Sequence, residues 1–169
     1  MEKDDILLLI EWINKPEYYG EFYSPEQWSR TELEKSLAEP GPFEFKHFLI
    51  EKKDGAKVGW ICFFYAPHPM GKTLEIGYSM FPSERGKGYC SEAAQIIVDY
   101  LFLSKEAPCI QATTHIKNKP SQRVLEKLGF RREGIMRKRS FVRGEWTDMT
   151  LFSILREEWE EPKILTKIT

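Results

Sequence analysis

The stretch Arg85-Gly86-Lys87-Gly88-Tyr89-Cys90-Ser91 lies between an alternating apolar run and a run of helical spacing, and its residue types suit one chemistry, the holding of phosphate. Two glycines let the backbone approach a ligand closely and take positive φ. Free N–H groups at the start of a following helix, with its positive dipole end, face the anion, and Arg85 and Lys87 add charge. The same spacing also suits an ordinary tight turn whose glycines serve only the backbone. Other nucleotide motifs fail at single positions. Ala66 to Thr73 ends in Gly-Lys-Thr like a P-loop, but Ala66 stands where the first glycine belongs and a strand follows where a helix is needed. A dinucleotide fingerprint starting at Gly86 requires glycine where Ser91 stands.

That turn needs a strand before it and a helix after it, and the apolar periodicity supplies both. Leu74, Ile76, Tyr78 and Met80 alternate with Glu75, Gly77 and Ser79, which predicts a strand over Thr73 to Met80. Ala94, Ile97, Val98, Leu101 and Phe102 make one stripe of a helix from Ser91 to Ser104, and Ile110 to Ile116 reads as the next strand. Strand, helix, strand is a βαβ unit with parallel strands. A short helix is expected over Pro120 to Leu128, with Gly129 at its left-handed end. Glu133 to Val142 and Trp146 to Leu155 then form a hairpin, and a charged tail starts at Arg156. Upstream, helices are expected over Asp4 to Asn14, ended by Pro16, and over Ser29 to Ala38. Phe45 to Glu51 and Lys57 to Tyr65 read as strands turning at Asp54-Gly55.

Composition bounds the class. With 169 residues, 41% hydrophobic and 30% charged, the chain reads as one globular domain over residues 1–169 and excludes disorder and coiled coil. The longest apolar run, Ile6 to Ile10, is far shorter than the roughly 20 residues of a membrane helix, and the acidic start is unlike a signal peptide. A cytoplasmic protein without membrane contact is expected. Cys62, Cys90 and Cys109 show no paired spacing, so neither a disulfide nor a metal site is expected. The net charge of -1 hides a segregation: residues 1–39 carry ten acids against four bases, and residues 117–143 carry ten bases against two acids. A solvated hairpin that attracts phosphates accounts for the basic region without nucleic acid.

Two stretches together resemble one family. Arg85, Gly88 and Cys90 fall on the pattern [QR]-x-x-G-x-[GA], with Cys90 in place of the final small residue. Asn118, Ser121, Leu125, Lys127, Gly129 and Phe130 fall on N-x-x-S-x-x-x-L-x-K-x-G-F. On these motifs the chain resembles the GNAT N-acetyltransferases. Its end, from Glu133-Gly134 through Arg137, Gly144 and Asp148 to Leu155-Arg156-Glu157-Glu158-Trp159, is similar to the RimJ/RimL-like branch, named for acetylating ribosomal-protein N-termini.

The resemblance implies an α/β (α+β) GNAT fold, a mixed and mostly antiparallel sheet of about six strands flanked by helices. It implies acetyl-CoA as cosubstrate, no metal, and a seat in the V between two splayed central strands. Met80 and Phe81 would meet pantetheine, Arg85, Gly86, Lys87, Gly88, Tyr89, Cys90 and Ser91 would hold the pyrophosphate, and Asn118 would bond the pantetheine arm. Direct transfer to an amine needs a base, an N–H for the oxyanion and a partner for the leaving thiolate. Glu75 is the candidate base, since partial burial raises a carboxylate pKa; the N–H lies near Met80, and Ser121 is the thiolate partner. Alternatively Glu75 is a structural carboxylate and Ser121 a helix-start residue bonded to backbone. Leu125 stands where many relatives carry a tyrosine acid, and Cys90 is read as packing.

The acceptor would be a peptide N-terminus, a polyamine, an aminoglycoside or another small amine. Trp12, Tyr18, Tyr19, Phe22, Tyr23, Trp28 and Trp146 are candidates to line its pocket, and Glu11, Glu17 or Glu21 to attract its charge. A module that binds acyl-CoA without turnover is the alternative from another class. Relatives begin with a strand carrying a Leu-Arg pair, whereas Met1 here lies three residues before Asp4. Either that strand is absent or the start lies upstream; its absence would expose a sheet edge and favour a homodimer.

Overall fold

Ile6, Leu9, Ile10 and Ile13 recur at helical spacing, and the chain is helical over Lys3–Ile13 (α1). The computed structural model describes residues 3–24, 27, 29–38, 46–68 and 71–161; Trp28, expected near the acceptor, lies outside them. Pro16 does not simply end α1. It opens a second short helix, Pro16–Tyr19 (α2), at a first-turn position where a missing N–H costs nothing. The next helix, Arg30–Ala38 (α3), starts at a reciprocal cap: Ser29 N donates to Glu32 Oε2 at 2.8 Å and Glu32 N to Ser29 Oγ at 3.2 Å.

Strands Lys46–Glu51 (β1) and Lys57–His68 (β2) form the first hairpin, and β2 runs three residues beyond the expected Tyr65. Gly71–Met80 (β3), helix Tyr89–Ser104 (α4) and Cys109–His115 (β4) form the βαβ unit. Helix Lys119–Lys127 (α5) precedes the hairpin of Arg131–Val142 (β5) and Glu145–Leu155 (β6). The six strands lie in the order β1-β2-β3-β4-β6-β5, and among these pairs only β3 and β4 run parallel. Among the described residues no strand precedes α1.

The sheet is covered on both faces. Leu74 and Ile76 of β3, Ile110 of β4 and Phe152 of β6 pack with Val98 and Leu101 of α4 and Leu125 of α5. Burial of each such side chain contributes about 1.5–3 kcal/mol. Leu9, Trp12 and Leu33 form a second cluster with Leu49, Trp60 and Phe81 on the opposite face. Gly59 holds β2 against the end of β3, where a Cβ would stand 2.4 Å from the Ser79 carbonyl oxygen.

The expected tail from Arg156 proves to be a fastening. Arg156 donates from Nη1 to Phe102 O at 2.8 Å, from Nη2 to Lys105 O at 2.6 Å and from Nε to Ala107 O at 2.9 Å, meeting one of the last carbonyls of α4 and two of the loop that follows it. Trp159 Nε1 donates to Asp99 Oδ1 at 2.8 Å. No helix among the described residues is long and apolar enough to cross a membrane.

Candidate active site

The parallel ladder between β3 and β4 holds only at Leu74↔Ile110 and Glu75↔Gln111. Beyond these pairs the two strands run on without pairing to each other, β3 to Met80 and β4 to His115, so the sheet opens into a V between them. Phe81 N donates to Val58 O at 3.0 Å, which fixes the odd-numbered residues of β3 as those bonded to β2. The backbone groups of Tyr78 and Met80 therefore point into the V.

At the mouth of the V lies the glycine turn. Gly86 and Gly88 have φ of +77° and +91°, and a Cβ at either would meet nothing within 4 Å. Gly88 is the N-cap of α4 and supplies no side chain to it. The first bond of the helix is Glu92 N to Gly88 O at 3.2 Å, so the N–H groups of Tyr89, Cys90 and Ser91 precede the helical ladder. An open backbone surface with uncapped donors fits a pyrophosphate.

The charged side chains of the turn point elsewhere. Arg85 donates from Nε to Met80 O at 3.1 Å and from Nη2 to Tyr18 O at 3.2 Å, tying the end of β3 to α2. Lys87 Nζ lies 3.2 Å from Glu84 Oε1. Met80 is buried in the main core, and the Phe81 ring packs edge-on against Trp12 at 4.0 Å and Tyr18 at 5.1 Å. Of the residues expected to hold CoA, then, Gly86 and Gly88 to Ser91 present backbone, while Met80, Phe81 and Arg85 use their side chains for packing and tethering.

Asn118 caps α5, its Oδ1 accepting from Ser121 N at 3.2 Å. Ser121 Oγ stands 3.1 Å from Tyr78 Oη across the V, where either hydroxyl can donate, and Tyr78 Oη also donates to Ser121 O at 3.3 Å. Burial drives the Tyr78 hydroxyl far above the ordinary tyrosine value, against a smaller lowering by Ser121. Tyr78 was assigned no role from the sequence; its signal was a lone hydroxyl within the apolar set Leu74, Ile76, Met80. Burial also pushes the Cys62 and Cys90 thiols up to about 12. Both are thiols at neutral pH, in keeping with Cys90 as packing.

Glu75 lies on the other face. Its Oε2 accepts from Gln111 Nε2 at 2.9 Å and its Oε1 from Thr113 Oγ1 at 2.8 Å, so β4 fixes both oxygens. Along the same face β4 presents His115, whose ring packs at a tilt of 33° against Phe22 with centroids 5.0 Å apart and whose Nδ1 accepts from Lys117 N at 3.1 Å. Burial and then Lys117 hold His115 below the usual histidine value, opposed by Glu21 and Asp148. With Nδ1 accepting, the neutral ring carries its proton on Nε2. His115 also went unassigned, because a single histidine has no spacing to read.

A loop joins this face to the last hairpin: Arg143 donates from Nη2 to Gly20 O at 2.8 Å and from its backbone N to Ser24 Oγ at 3.1 Å, and Ser24 Oγ donates to Phe141 O at 3.2 Å. Phe22 thereby sits against His115, and Tyr23 lies within electrostatic reach of Glu75. The other expected acceptor aromatics divide: Trp12 and Tyr18 pack on Phe81, and Trp146 meets Phe141 at 5.4 Å on the exposed hairpin. Glu11 pairs with Lys15, and Glu21 faces His115. Among the described residues no three His, Cys, Asp or Glu side chains cluster as a metal site.

Residues 1–131 match the acetyltransferase (GNAT) domain family. The chain belongs to the GNAT family. It is 39% identical over 113 residues to the uncharacterized N-acetyltransferase YnaD of Bacillus subtilis, a match covering 66% of this chain and 64% of YnaD. The chain thus spans slightly under two thirds of that GNAT relative. A crystal structure of an acetyltransferase (GNAT family) from Bacillus anthracis is 30% identical, with a TM-score of 0.75, covering 93% of this chain and 92% of the other. Mycobacterium smegmatis RimJ, solved with CoA-disulfide, is 26% identical with a TM-score of 0.78, covering 94% and 80%. The RimJ/RimL-like likeness and the GNAT fold, six strands and all, stand as expected.

Proposed function

We propose that this chain, acting as one cytoplasmic domain over residues 1–169, transfers the acetyl group of acetyl-CoA to a primary amine within a ternary complex. The carrying observation is the β3–β4 ladder that stops after Glu75↔Gln111 beside the uncapped start of α4. CoA would lay its pyrophosphate on the N–H groups from Gly88 to Ser91 and run its pantetheine along the backbone of Tyr78 and Met80, with Asn118 on the far side. Bound acetyl-CoA supplies an activated carbonyl and a thiol leaving group.

The chain's own residues carry the rest. Glu75, held by Gln111 and Thr113, takes the proton of the attacking amine, directly or through water. The Met80 N–H, which points into the V, meets the oxyanion. Ser121 meets the departing sulfur. The amine enters on the face of Phe22, Tyr23 and Glu75, and Glu21 and Asp148 favour a cation there. A peptide N-terminus suits the RimJ/RimL-like kinship, and polyamines and aminoglycosides share its charge. A homodimer through the β1 edge belongs to the same proposal.

Thiol release from acetyl-CoA against peptide N-termini, polyamines, aminoglycosides and amino acids, with CoA binding measured alongside, tests this. Release with one acceptor class is the expected result. Binding without release across the panel would instead mark a silent acyl-CoA-binding module, a reading that Leu125, in the place of the common tyrosine acid, keeps open.

A further inference from the structure

The two hydroxyls that meet across the V form one device, and we propose that Tyr78 is a positioning residue that turns the Ser121 hydroxyl toward the CoA sulfur and, through it, stabilises the thiolate. This inference rests on the acetyl-CoA reading above. Ser121 is the third residue of α5, where a serine left alone bonds back to its own helix backbone. Here its Oγ instead has Tyr78 Oη at 3.1 Å, nearer than the 3.3 Å that separates Tyr78 Oη from Ser121 O. The phenol has one proton and two acceptors in reach, Ser121 O and Ser121 Oγ; in the arrangement proposed it goes to Oγ, which occupies the serine as acceptor and leaves the serine's own O–H as the group offered into the V.

The position of the pair is what the departing sulfur requires. Tyr78 stands on β3 beyond the last rung to β4, and Ser121 stands in the first turn of α5, whose positive dipole end adds to the same effect. The titratable groups that bear on Tyr78 are Cys90 from α4 and Tyr23 from the loop over the opposite face. Both carry no charge at neutral pH: burial pushes Cys90 up to about 12 and raises Tyr23 as well. Burial also keeps Tyr78 protonated well beyond the range in which a thiol near 8.5 ionises. The pair therefore lends hydrogen bonds and gives up no proton. The amine nitrogen–carbon bond forms, the carbon–sulfur bond breaks with its electron pair going to sulfur, and the amine proton leaves through the base. The sulfur departs as a thiolate held by Ser121.

A held thiolate has a lowered pKa, and this can be read in free CoA without any acceptor. The experiment titrates the thiol of CoA bound to the wild-type protein by its ultraviolet thiolate absorbance, and repeats this for Tyr78→Phe, Ser121→Ala, Ser121→Thr and the double variant. Expected are a bound thiol pKa below that of free CoA, a rise of about 0.5 unit or more in Tyr78→Phe and in Ser121→Ala, and no further rise in the double variant. Ser121→Thr keeps the low value, and CoA affinity by calorimetry stays within about threefold throughout. An unchanged thiol pKa in Tyr78→Phe, additive shifts in the double variant, or a lost affinity that accounts for the change overturns the pair. Absence of CoA binding by the wild type would overturn the acetyl-CoA reading itself, and this inference with it.

Discussion

The guanidinium of Arg85 reaches the carbonyl of Tyr18 at 3.2 Å while its Nε holds the carbonyl of Met80 at 3.1 Å. The first residue of the motif that resembles a phosphate-binding turn is thus a strut between the end of β3 and α2. The proposed cosubstrate and acceptor sites would share this one side chain. Phe81 completes the junction by wedging its ring between Trp12 and Tyr18.

Arg85→Ala is expected to loosen that junction more than the phosphate contact. Losing two charge-assisted hydrogen bonds at a partly exposed site costs about 1–2 kcal/mol, and the melting temperature falls by about 2–4 °C for each kcal/mol. Acceptor KM is expected to rise by a larger factor than acetyl-CoA KM. Calorimetric melting with two-substrate kinetics would sink this account if acetyl-CoA KM alone changed.

Gly88→Asp is expected to weaken acetyl-CoA at least about tenfold, equivalent to ~1.4 kcal/mol. At φ +91° any side chain strains the backbone, and the aspartate adds a carboxylate that would face the diphosphate. Gly88→Ala carries the backbone strain without the charge. Equal affinities of the two variants in a calorimetric titration would remove the pyrophosphate from this turn.

Glu75→Gln keeps the shape of the site, since the new amide can still engage Gln111 and Thr113. If Glu75 takes the amine proton, kcat falls by roughly 100-fold or more with CoA affinity retained. A wild-type pH–rate profile in this variant would leave Glu75 as a structural carboxylate of the sheet.

Stability is expected to fall with acid below about pH 6.5. Burial holds both His47 and His115 below the ordinary histidine value, so in that range the unfolded chain takes up protons that the folded chain refuses. The stability is fully present above the unfolded value and is lost as the pH drops through it. His115→Asn, which keeps an acceptor for Lys117 N, is expected to show a smaller loss of urea midpoint between about pH 7.5 and 5.5. An identical loss would place the effect elsewhere.

Much of this is written locally in the chain. Leu74, Ile76 and Met80 alternate, Ala94, Ile97, Val98 and Leu101 follow the helical turn, and both patterns need only near neighbours to read. The glycine turn was legible for the same reason. Arg85 with Tyr18 and Tyr78 with Ser121 are pairs separated by 67 and 43 positions, and no spacing rule links them. Pro16 misled because one ring serves both to stop a helix and to start one. The two fixed oxygens of Glu75 depend on the register of β4 against β3, which the sequence of either strand leaves open.

Arg156 closes α4 from 54 residues beyond Phe102. During synthesis the helix that follows the glycine turn is complete long before the residue that meets its Phe102 carbonyl leaves the ribosome. Over that interval the Phe102 carbonyl lacks the guanidinium that meets it in the folded chain, which arrives only once β6 has been made. The two ends of α4 thereby answer to different parts of the chain, the start to the glycine turn beside it and the far end to a residue that arrives with β6.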